Sequence, residues 1–336
     1  MVKSTAAIPA ADGPYFDDLT VGQEFTGAPA MTLTEGLAAA HQAVTGDRLA
    51  LALDHELCRE VTGGGPLAPP TLVWDVANGQ STVVTRHVRA NLFYRGLAFR
   101  RAPVIGDTLR TRTEVVALRQ NQPRQGRAPT GLAALRITTT DQENRAVLDY
   151  WRCAMLPLRD KYAQTGHADD LAQVGQDAPD QVLAAAVAGW RLDLLAGRLP
   201  GPHPAGLQAG QLFEVTGGDV VSSAPELARL TLNVAAVHHD ALAAGGDRLV
   251  YGGHTIALAL SQAARALPAL VTVVGWHGCD HLGPVREGDT LRSTIAVEQV
   301  DYLPEGGGLV HLRSLVRADG EPDRTVLDWR YVAVVA

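Results

Sequence analysis

Two short segments in the second half of the chain contain residue types suited to moving a proton. The first, Leu232–Asp240, places Asn233 and His238 with four residues between them. The second, Tyr251-Gly-Gly-His254, precedes an apolar stretch that predicts a helix. Imidazole titrates near neutral pH, whereas an amide orients water but cannot accept a proton. Backbone N–H groups at a helix N-terminus stabilise developing negative charge. The residue types in these two segments are therefore able to move a proton and to stabilise negative charge.

The sequence predicts no metal site and no cofactor. His238 and His239 are adjacent, so their side chains point apart, and no third ligand follows at a suitable spacing. Cys58, Cys153 and Cys279 are far apart and odd in number, which fits neither a disulfide framework nor a CxxC site. Buried free thiols in a reducing compartment are the preferred interpretation.

Composition excludes several classes of protein. The 336 residues are 46% hydrophobic and 19% charged with a net charge of -7, which argues against disorder. Lys and Arg are not clustered, so nucleic acid is not an expected partner. No apolar run approaches the roughly 18 residues of a membrane span, and the N-terminus lacks the apolar core of a signal peptide. We expect a cytoplasmic protein with no membrane partner.

An internal repeat organises the chain. Three segments of the first half return in the same order in the second: Val21–Phe25 as Ala209–Phe213, Pro103–Arg110 as Pro284–Arg292, and Val147–Tyr150 as Val326–Trp329. A period this long predicts a duplicated domain rather than a solenoid. We predict an N-terminal domain over 1–160, a linker over 161–205 and a C-terminal domain over 206–336. The linker is rich in Ala, Asp, Gly and Pro, with one possible helix over Asp180–Leu195.

Each copy has the same predicted order of elements. A long apolar helix, Leu72–Val84 or Thr255–Leu267, is followed by strands that alternate apolar and polar residues. The predicted strands are Thr108–Val115, Leu132–Thr139, Thr290–Val297 and Leu309–Arg317, with Gly306–Gly308 as a hairpin loop. The pattern predicts an α+β fold in which an antiparallel sheet wraps around a helix. Asp54 and Asp240 precede helical patterns and are predicted to cap them.

This layout resembles the hot-dog fold of the MaoC-like (R)-specific enoyl-CoA hydratase family, and the duplication resembles its double hot-dog branch. Within that branch the chain resembles mesaconyl-CoA hydratases (β-methylmalyl-CoA dehydratases). The stretches that carry the likeness are Thr32–Gly36, Gly106–Leu109, Leu118–Asn121, Val147–Tyr150, Arg159-Asp160 and Arg248–His254. The resemblance implies two tandem hot-dog domains.

The resemblance also implies roles for individual residues. Leu232–Asp240 aligns with the family's GDxNPxHxD segment, so that His238 falls on the catalytic His and Asn233 on the catalytic Asp. His238 must then carry the proton while Asn233 positions water. The N–H of Gly252, with Gly253 as the near alternative, would stabilise the charge on the thioester oxygen.

Four further residues are implied as substrate contacts: Arg248, Tyr251, Gly253 and His254. Arg248 could bind a CoA phosphate or a substrate carboxylate, or form a surface ion pair. His254 could line the site or cap the helix. Trp276, His277 and His281 follow the helix and could face the acyl pocket.

The first half lacks a matching site. It retains Asp47, but Ala52 stands where the His belongs, and Gly63–Pro70 lacks the Tyr-Gly-Gly-His pattern. The first copy is therefore interpreted as a degenerate partner that shapes the acyl pocket.

The expected reaction is reversible hydration or dehydration of a 2-enoyl-CoA or 3-hydroxyacyl-CoA thioester, with a branched or dicarboxylic acyl group implied by the mesaconyl likeness. A catalytically silent acyl-thioester binding protein is an alternative. A hot-dog thioesterase is disfavoured because Thr255–Leu267 has no acidic residue. The sequence leaves open whether the carrier is CoA or acyl carrier protein, and whether the chain is a monomer or a homodimer.

Overall fold

The computed structural model describes residues 12–123, 125–304, 306–320 and 324–336. The prediction that a signal peptide is absent rests partly on residues 1–11, which lie outside the described residues. The helices are α1 Glu35–Thr45, α2 Ala50–Leu53, α3 His55–Thr62, α4 Pro70–Ser81, α5 Asp180–Ala185, α6 Ala224–Leu230, α7 Ala241–Ala244 and α8 Gly252–Ala266. The strands are β1 Glu24–Phe25, β2 Met31–Thr32, β3 Ala90–Phe99, β4 Thr108–Gln120, β5 Thr130–Thr140, β6 Ala146–Pro157, β7 Leu212–Glu214, β8 Asp219–Val220, β9 Leu270–His281, β10 Thr290–Tyr302, β11 Gly308–Ala318 and β12 Arg324–Val335.

The described strands form one antiparallel sheet that runs through both halves of the chain. Its order is β1-β4-β5-β6-β3-β9-β12-β11-β10-β7, with β2 beside β4 and β8 beside β10. The two halves meet where β3 pairs with β9, with Tyr94 opposite Cys279 and Ala98 opposite Gly275. The sheet therefore crosses from one repeat to the other without an unpaired edge between them.

Two long helices, one from each half, lie against this sheet and against each other. Every residue of α4 is buried, and on α8 only the first residue and the last two are not fully buried. A helix that is buried on all sides needs apolar or internally paired residues on all sides. Trp74 on α4 is one such apolar residue. Its ring stacks parallel to the ring of Tyr251, which precedes α8, with the ring centroids 6.1 Å apart.

The internal repeat is visible in matching hydrogen bonds. Gln80 on α4 donates to the carbonyl of Leu109 at 3.0 Å, and Gln262 on α8 donates to the carbonyl of Leu291 at 2.9 Å. Asp54 caps α3 through the N–H groups of Glu56 and Leu57, and Asp240 caps α7 through the N–H of Leu242, as predicted. Each long helix is thus fixed in the same way, through a glutamine side chain, to the second strand after it, β4 or β10.

The boundaries of the elements differ from the predictions at several places. Both long helices begin earlier than predicted, because Pro70 and Gly252 are already helical. The linker helix is shorter: α5 ends at Ala185, and a separate 3₁₀ turn covers Leu192–Leu195. Gly189 between them has a φ of 80°, which a continuous right-handed helix cannot contain.

Candidate active site

A cavity of about 340 Å³ lies between the two halves, next to the start of α8. Both halves contribute polar side chains to it. Those of the first half are Asn78, Thr82, Thr85, Arg89, Asn91, Tyr94 and Arg152; those of the second are Asn233, His238, Tyr251, Thr255 and His281. Of the seven residues predicted for the site, the structure brings Asn233, His238, Tyr251 and Gly252 to this one cavity.

His238 is held in a defined orientation. Its Nδ1 lies 2.9 Å from the carbonyl oxygen of Leu249, which can only accept a hydrogen bond. Nδ1 therefore carries the proton and Nε2 keeps its lone pair. Burial lowers the pKa of His238 to about 4, while the bond to Leu249 acts in the opposite direction. The ring is thus neutral at physiological pH, with one nitrogen ready to accept a proton.

Asn233 is oriented by its own loop. Its Oδ1 accepts a hydrogen bond from the N–H of Ala235 at 3.0 Å, which fixes which end of the amide is the oxygen. The amide NH₂ group is then the part that Asn233 can offer to a ligand. The ring of His239, for which no role was predicted, donates to the carbonyl of Asn233 at 2.6 Å and holds the same loop.

Gly252 is the first residue of α8, so its N–H has no acceptor within the helix. His281, the last residue of β9, lies directly against it: a Cβ at position 252 would overlap Nε2 of that histidine. His281 Nε2 is buried and has no partner among the described residues. Burial, with a smaller contribution from nearby His238, lowers the pKa of His281 to about 4, so this ring is also neutral. Two histidines and one free N–H therefore border the same space.

We expect Gly252→Ala to lower kcat/KM roughly 10²–10³-fold on the thioester that proves to be the substrate, because the methyl group would displace His281 and disturb the N–H donor. Steady-state kinetics and a thermal melt measure the effect. The matched control is Gly36→Ala on α1, where an added Cβ meets only Thr34 Oγ1 at 4.0 Å. Unchanged kinetics in Gly252→Ala would contradict a role for this N–H.

Tyr251 forms part of the cavity wall, and its hydroxyl accepts a hydrogen bond from another residue of that wall. Asn78 donates to this hydroxyl at 3.0 Å. Burial raises the pKa of the neighbouring Asp75 carboxyl, and Tyr251 acts on that pKa in the opposite direction. The ring lies 5.7 Å from the ring of His238. Tyr251 therefore packs beside His238 and is held in place by Asn78 of the first half.

Three predicted site residues do not line the cavity. Gly253 packs against Asp75, which a Cβ at this position would overlap. His254 is fully buried, with neither ring nitrogen partnered among the described residues, and it neither lines the cavity nor caps α8. Arg248 lies 3.6 Å from Glu287 in a surface pocket that shares His238, Leu249 and Val250 with the cavity. The first turn of α8 directs Gly253 and His254 away from the cavity, and Arg248 precedes that turn at the surface.

Arg152, which was not predicted from the sequence, lies on β6 in the first half and is only 3% exposed. Its guanidinium donates to Asn78 Oδ1 at 3.1 Å and to Thr85 Oγ1 at 2.6 Å, while its Nε is buried without a partner. Among the described residues it forms no ion pair with a carboxylate. A buried cation that has only neutral partners is costly unless a ligand supplies the negative charge. Nothing in the local sequence distinguishes this strand arginine from the others.

The corresponding place in the first half is closed. The pocket there holds only about 20 Å³ and is lined by Ala52, Pro70, Phe99 and two linker residues, Ala186 and Val187. Pro70 occupies the first position of α4, as Gly252 does on α8, and proline has no N–H to donate. The retained Asp47 accepts the N–H of Leu49 at 2.8 Å and is structural. Only the second half therefore keeps both the histidine and the N–H donor.

No helix in the described ranges is long and apolar enough to cross a membrane.

Comparison with known proteins places the chain among double hot-dog proteins. No family model matches it. It is 56% identical to Rv0216, a conserved hypothetical protein of Mycobacterium tuberculosis with a double hotdog fold; the match covers 96% of this chain and 98% of the other, with a TM-score of 0.90. A putative MaoC domain dehydratase of Chloroflexus aurantiacus is 25% identical over 98% of this chain and 99% of its own, with a TM-score of 0.86.

A curated relative carries an enzyme name. The mesaconyl-CoA hydratase of Cereibacter sphaeroides is 28% identical over 319 residues, which is 92% of this chain and 90% of that protein. These matches span both repeats, and they confirm the predicted fold and resemblance. The chain belongs to the MaoC-like double hot-dog family.

Proposed function

We propose that the protein is a hydro-lyase that adds water to the double bond of a short 2-enoyl-CoA thioester, and removes it in reverse. The observation that carries the proposal is that a neutral histidine, His238, and the free N–H of Gly252 border one cavity. The relationship to mesaconyl-CoA hydratase supports the reaction class.

The residues divide the reaction between them as follows. In hydration, His238 Nε2 accepts a proton from water while the water oxygen bonds to the β-carbon. The electrons of the double bond move toward the thioester carbonyl, whose oxygen gains negative charge and accepts the Gly252 N–H. His238 then returns the proton to the α-carbon, so that one water has been added. His281, beside Gly252, is a second donor for the same oxygen if its Nε2 carries the proton.

Asn233 positions the water in this scheme. Because its oxygen is bound to the N–H of Ala235, its NH₂ group donates to the water oxygen. An amide cannot take the proton, so the whole proton transfer depends on His238. This division explains how a site with Asn in place of the usual Asp can still function.

Arg152 indicates the kind of acyl group. Its buried guanidinium borders the cavity without a carboxylate partner in the described parts of the chain. It is close enough to His238 that its charge contributes to lowering the pKa of that ring. A carboxylate on the acyl group, near the carbon that is hydrated, would supply the missing charge. A branched, dicarboxylic acyl group such as mesaconyl satisfies this requirement.

The pantetheine chain that links the acyl group to its carrier would leave the cavity past Arg248. The adjoining pocket contains Arg248 and Arg286, and both are exposed enough to bind a CoA phosphate. Acyl carrier protein would present a phosphopantetheine without the adenosine phosphates. Comparing the CoA thioester with the same acyl group on pantetheine tests which carrier is recognised.

The oligomeric state is a separate question. Light scattering with size-exclusion chromatography determines whether the chain is a monomer or a homodimer.

The thioesterase alternative needs an acidic residue at the cavity. Asp75 on α4 is the buried acid of the central helices, but it contacts His41 at 2.9 Å and does not line the cavity. The geometry therefore favours hydration over hydrolysis.

We expect the purified protein to consume mesaconyl-CoA faster than crotonyl-CoA or longer trans-2-enoyl-CoA thioesters. Loss of the conjugated absorbance follows hydration, and release of free thiol follows hydrolysis. No turnover of any thioester, with binding retained in calorimetry, would instead indicate a silent thioester-binding protein. Thiol release as the main product would indicate a thioesterase.

A further inference from the structure

A cluster of acidic and imidazole side chains lies away from the cavity, where the linker meets the sheet of the second half. It consists of Asp177, Asp180, His277, Asp301 and His311, and is called the linker cluster below. Asp180 is the first residue of α5, and the three second-half members lie on β9, β10 and β11. The linker cluster contributes nothing to the cavity that holds His238.

His311 has a nitrogen with no hydrogen-bond partner. Its side chain is 8% exposed, and Nε2 is buried without a partner among the described residues. Nε2 lies 3.6 Å from Asp180 Oδ2 and 3.5 Å from Asp301 Oδ2. Both distances exceed the ~3.2 Å limit of a good N–H···O hydrogen bond. Two carboxylates thus face a buried imidazole nitrogen without bonding to it.

The spacing matches that of metal ligands. The three ligand atoms lie within 4.8 Å of one another. In a tetrahedral site with bonds of ~2.0–2.2 Å, ligand atoms lie roughly 3.3–3.6 Å apart, which agrees with both distances from His311 Nε2. Asp180 and Asp301 are about half exposed, so an ion and its waters can enter from solvent.

The other members of the cluster orient His311 for this role. His311 Nδ1 lies 2.9 Å from His277 Nε2, and His277 Nδ1 lies 3.0 Å from Asp177 Oδ2. The two rings stack with centroids 5.1 Å apart. If Nε2 of His311 binds an ion, its Nδ1–H donates to His277, whose Nδ1–H donates to Asp177. Such a chain from a ligand histidine to a carboxylate fixes the tautomer and strengthens the ligand.

We infer that Asp180, Asp301 and His311 bind one divalent transition-metal ion of the Zn²⁺ class, with water completing the coordination. One imidazole and two carboxylates suit Zn²⁺ better than Mg²⁺ or Ca²⁺, which prefer oxygen alone. The ion joins α5 to β10 and β11, so it fastens the linker to the second-half sheet. This site was not predicted from the sequence because its residues are scattered over distant segments.

The test uses the full, tag-free chain stripped with chelator and titrated with Zn²⁺ by calorimetry and with Co²⁺ by visible spectroscopy. We expect one ion per chain, the absorption bands of tetrahedral Co²⁺, and slower hydrogen exchange in α5 when Zn²⁺ is present. His311→Ala should abolish this binding. Asp180→Asn, a change of similar size at a half-exposed position, should weaken it more than tenfold. His277→Gln should weaken it roughly 10–100-fold, because it removes only the supporting residue.

His55→Ala, which removes an exposed histidine of α3, is the matched control and should bind Zn²⁺ as the unchanged chain does. Zn²⁺ binding weaker than millimolar would overturn the inference and leave His311 beside two aspartates with no ion between them. Tight binding that survives both His311→Ala and Asp180→Asn would overturn it equally, since the ion would then be adventitious.

Discussion

Replacing His238 with alanine is expected to reduce kcat/KM for the preferred enoyl-CoA by about 10²–10⁴-fold, the range for a general acid–base group. The reduction should be large because Asn233 cannot take over the proton. The His238→Ala variant should still bind the thioester, since the rest of the cavity wall remains. His55→Ala provides the matched control, and circular dichroism confirms that both variants are folded.

The pH profile gives a second measurement of the same residue. His238 must be neutral to accept a proton from water, and its pKa is lowered to about 4 mainly by burial. We therefore expect kcat/KM for hydration to be constant near neutrality and to fall as the pH decreases toward about 4. An inflection at the ordinary histidine pKa of about 6.5 would mean that water in the cavity offsets the effect of burial on the pKa of His238. A profile that is identical in His238→Ala would exclude His238 as the base.

Replacing Arg152 with glutamine is expected to change which substrate is preferred. Loss of a buried charge partner costs about 2–5 kcal/mol, so kcat/KM for mesaconyl-CoA should fall roughly 30- to 4,000-fold. Crotonyl-CoA has no carboxylate, and its turnover should change far less. The ratio of the two kcat/KM values measures the effect independently of any general loss of activity.

Two further variants keep this prediction testable. Arg152→Lys retains the charge but loses the planar fork that donates to Asn78 and Thr85, so it should recover part of the preference for mesaconyl-CoA. Arg317→Gln, at an exposed position on β11, is the matched control and should leave kcat/KM unchanged for both substrates. If Arg152→Gln lowers kcat/KM equally for the two substrates, Arg152 only supports the cavity wall and the acyl group need not carry a carboxylate.

Local sequence patterns were sufficient to predict the architecture. The repeated Gly-Asp-Thr-Leu turns, the alternating strands after them and the two apolar stretches before them predicted two copies of a helix wrapped by an antiparallel sheet, as observed. Each of these features depends on neighbours in the sequence, because turn residues and apolar periodicity act over a few positions. The same holds for the caps at Asp54 and Asp240.

The sequence predicted only the part of the site that comes from one contiguous region. Asn233, His238 and Gly252 lie within about twenty residues of each other, and a family motif includes the first two. Gly253 and His254 were included because they are adjacent to Gly252, but the helical turn points them toward α4 and the first half. Adjacency along a helix does not imply a shared face, because successive residues are rotated by about 100°.

The fold, the duplication and the residue types able to move a proton could all be read from the sequence, since they follow from local pattern and side-chain chemistry. Tertiary packing was needed to show that Arg152 and Asn78 face His238, that His281 lies against Gly252, and that Asp180 and Asp301 converge on His311. These contacts join segments that are distant in the chain. They form because β3 pairs with β9 and α4 packs against α8, and such long-range packing is set by the burial of whole elements and not by any local signal.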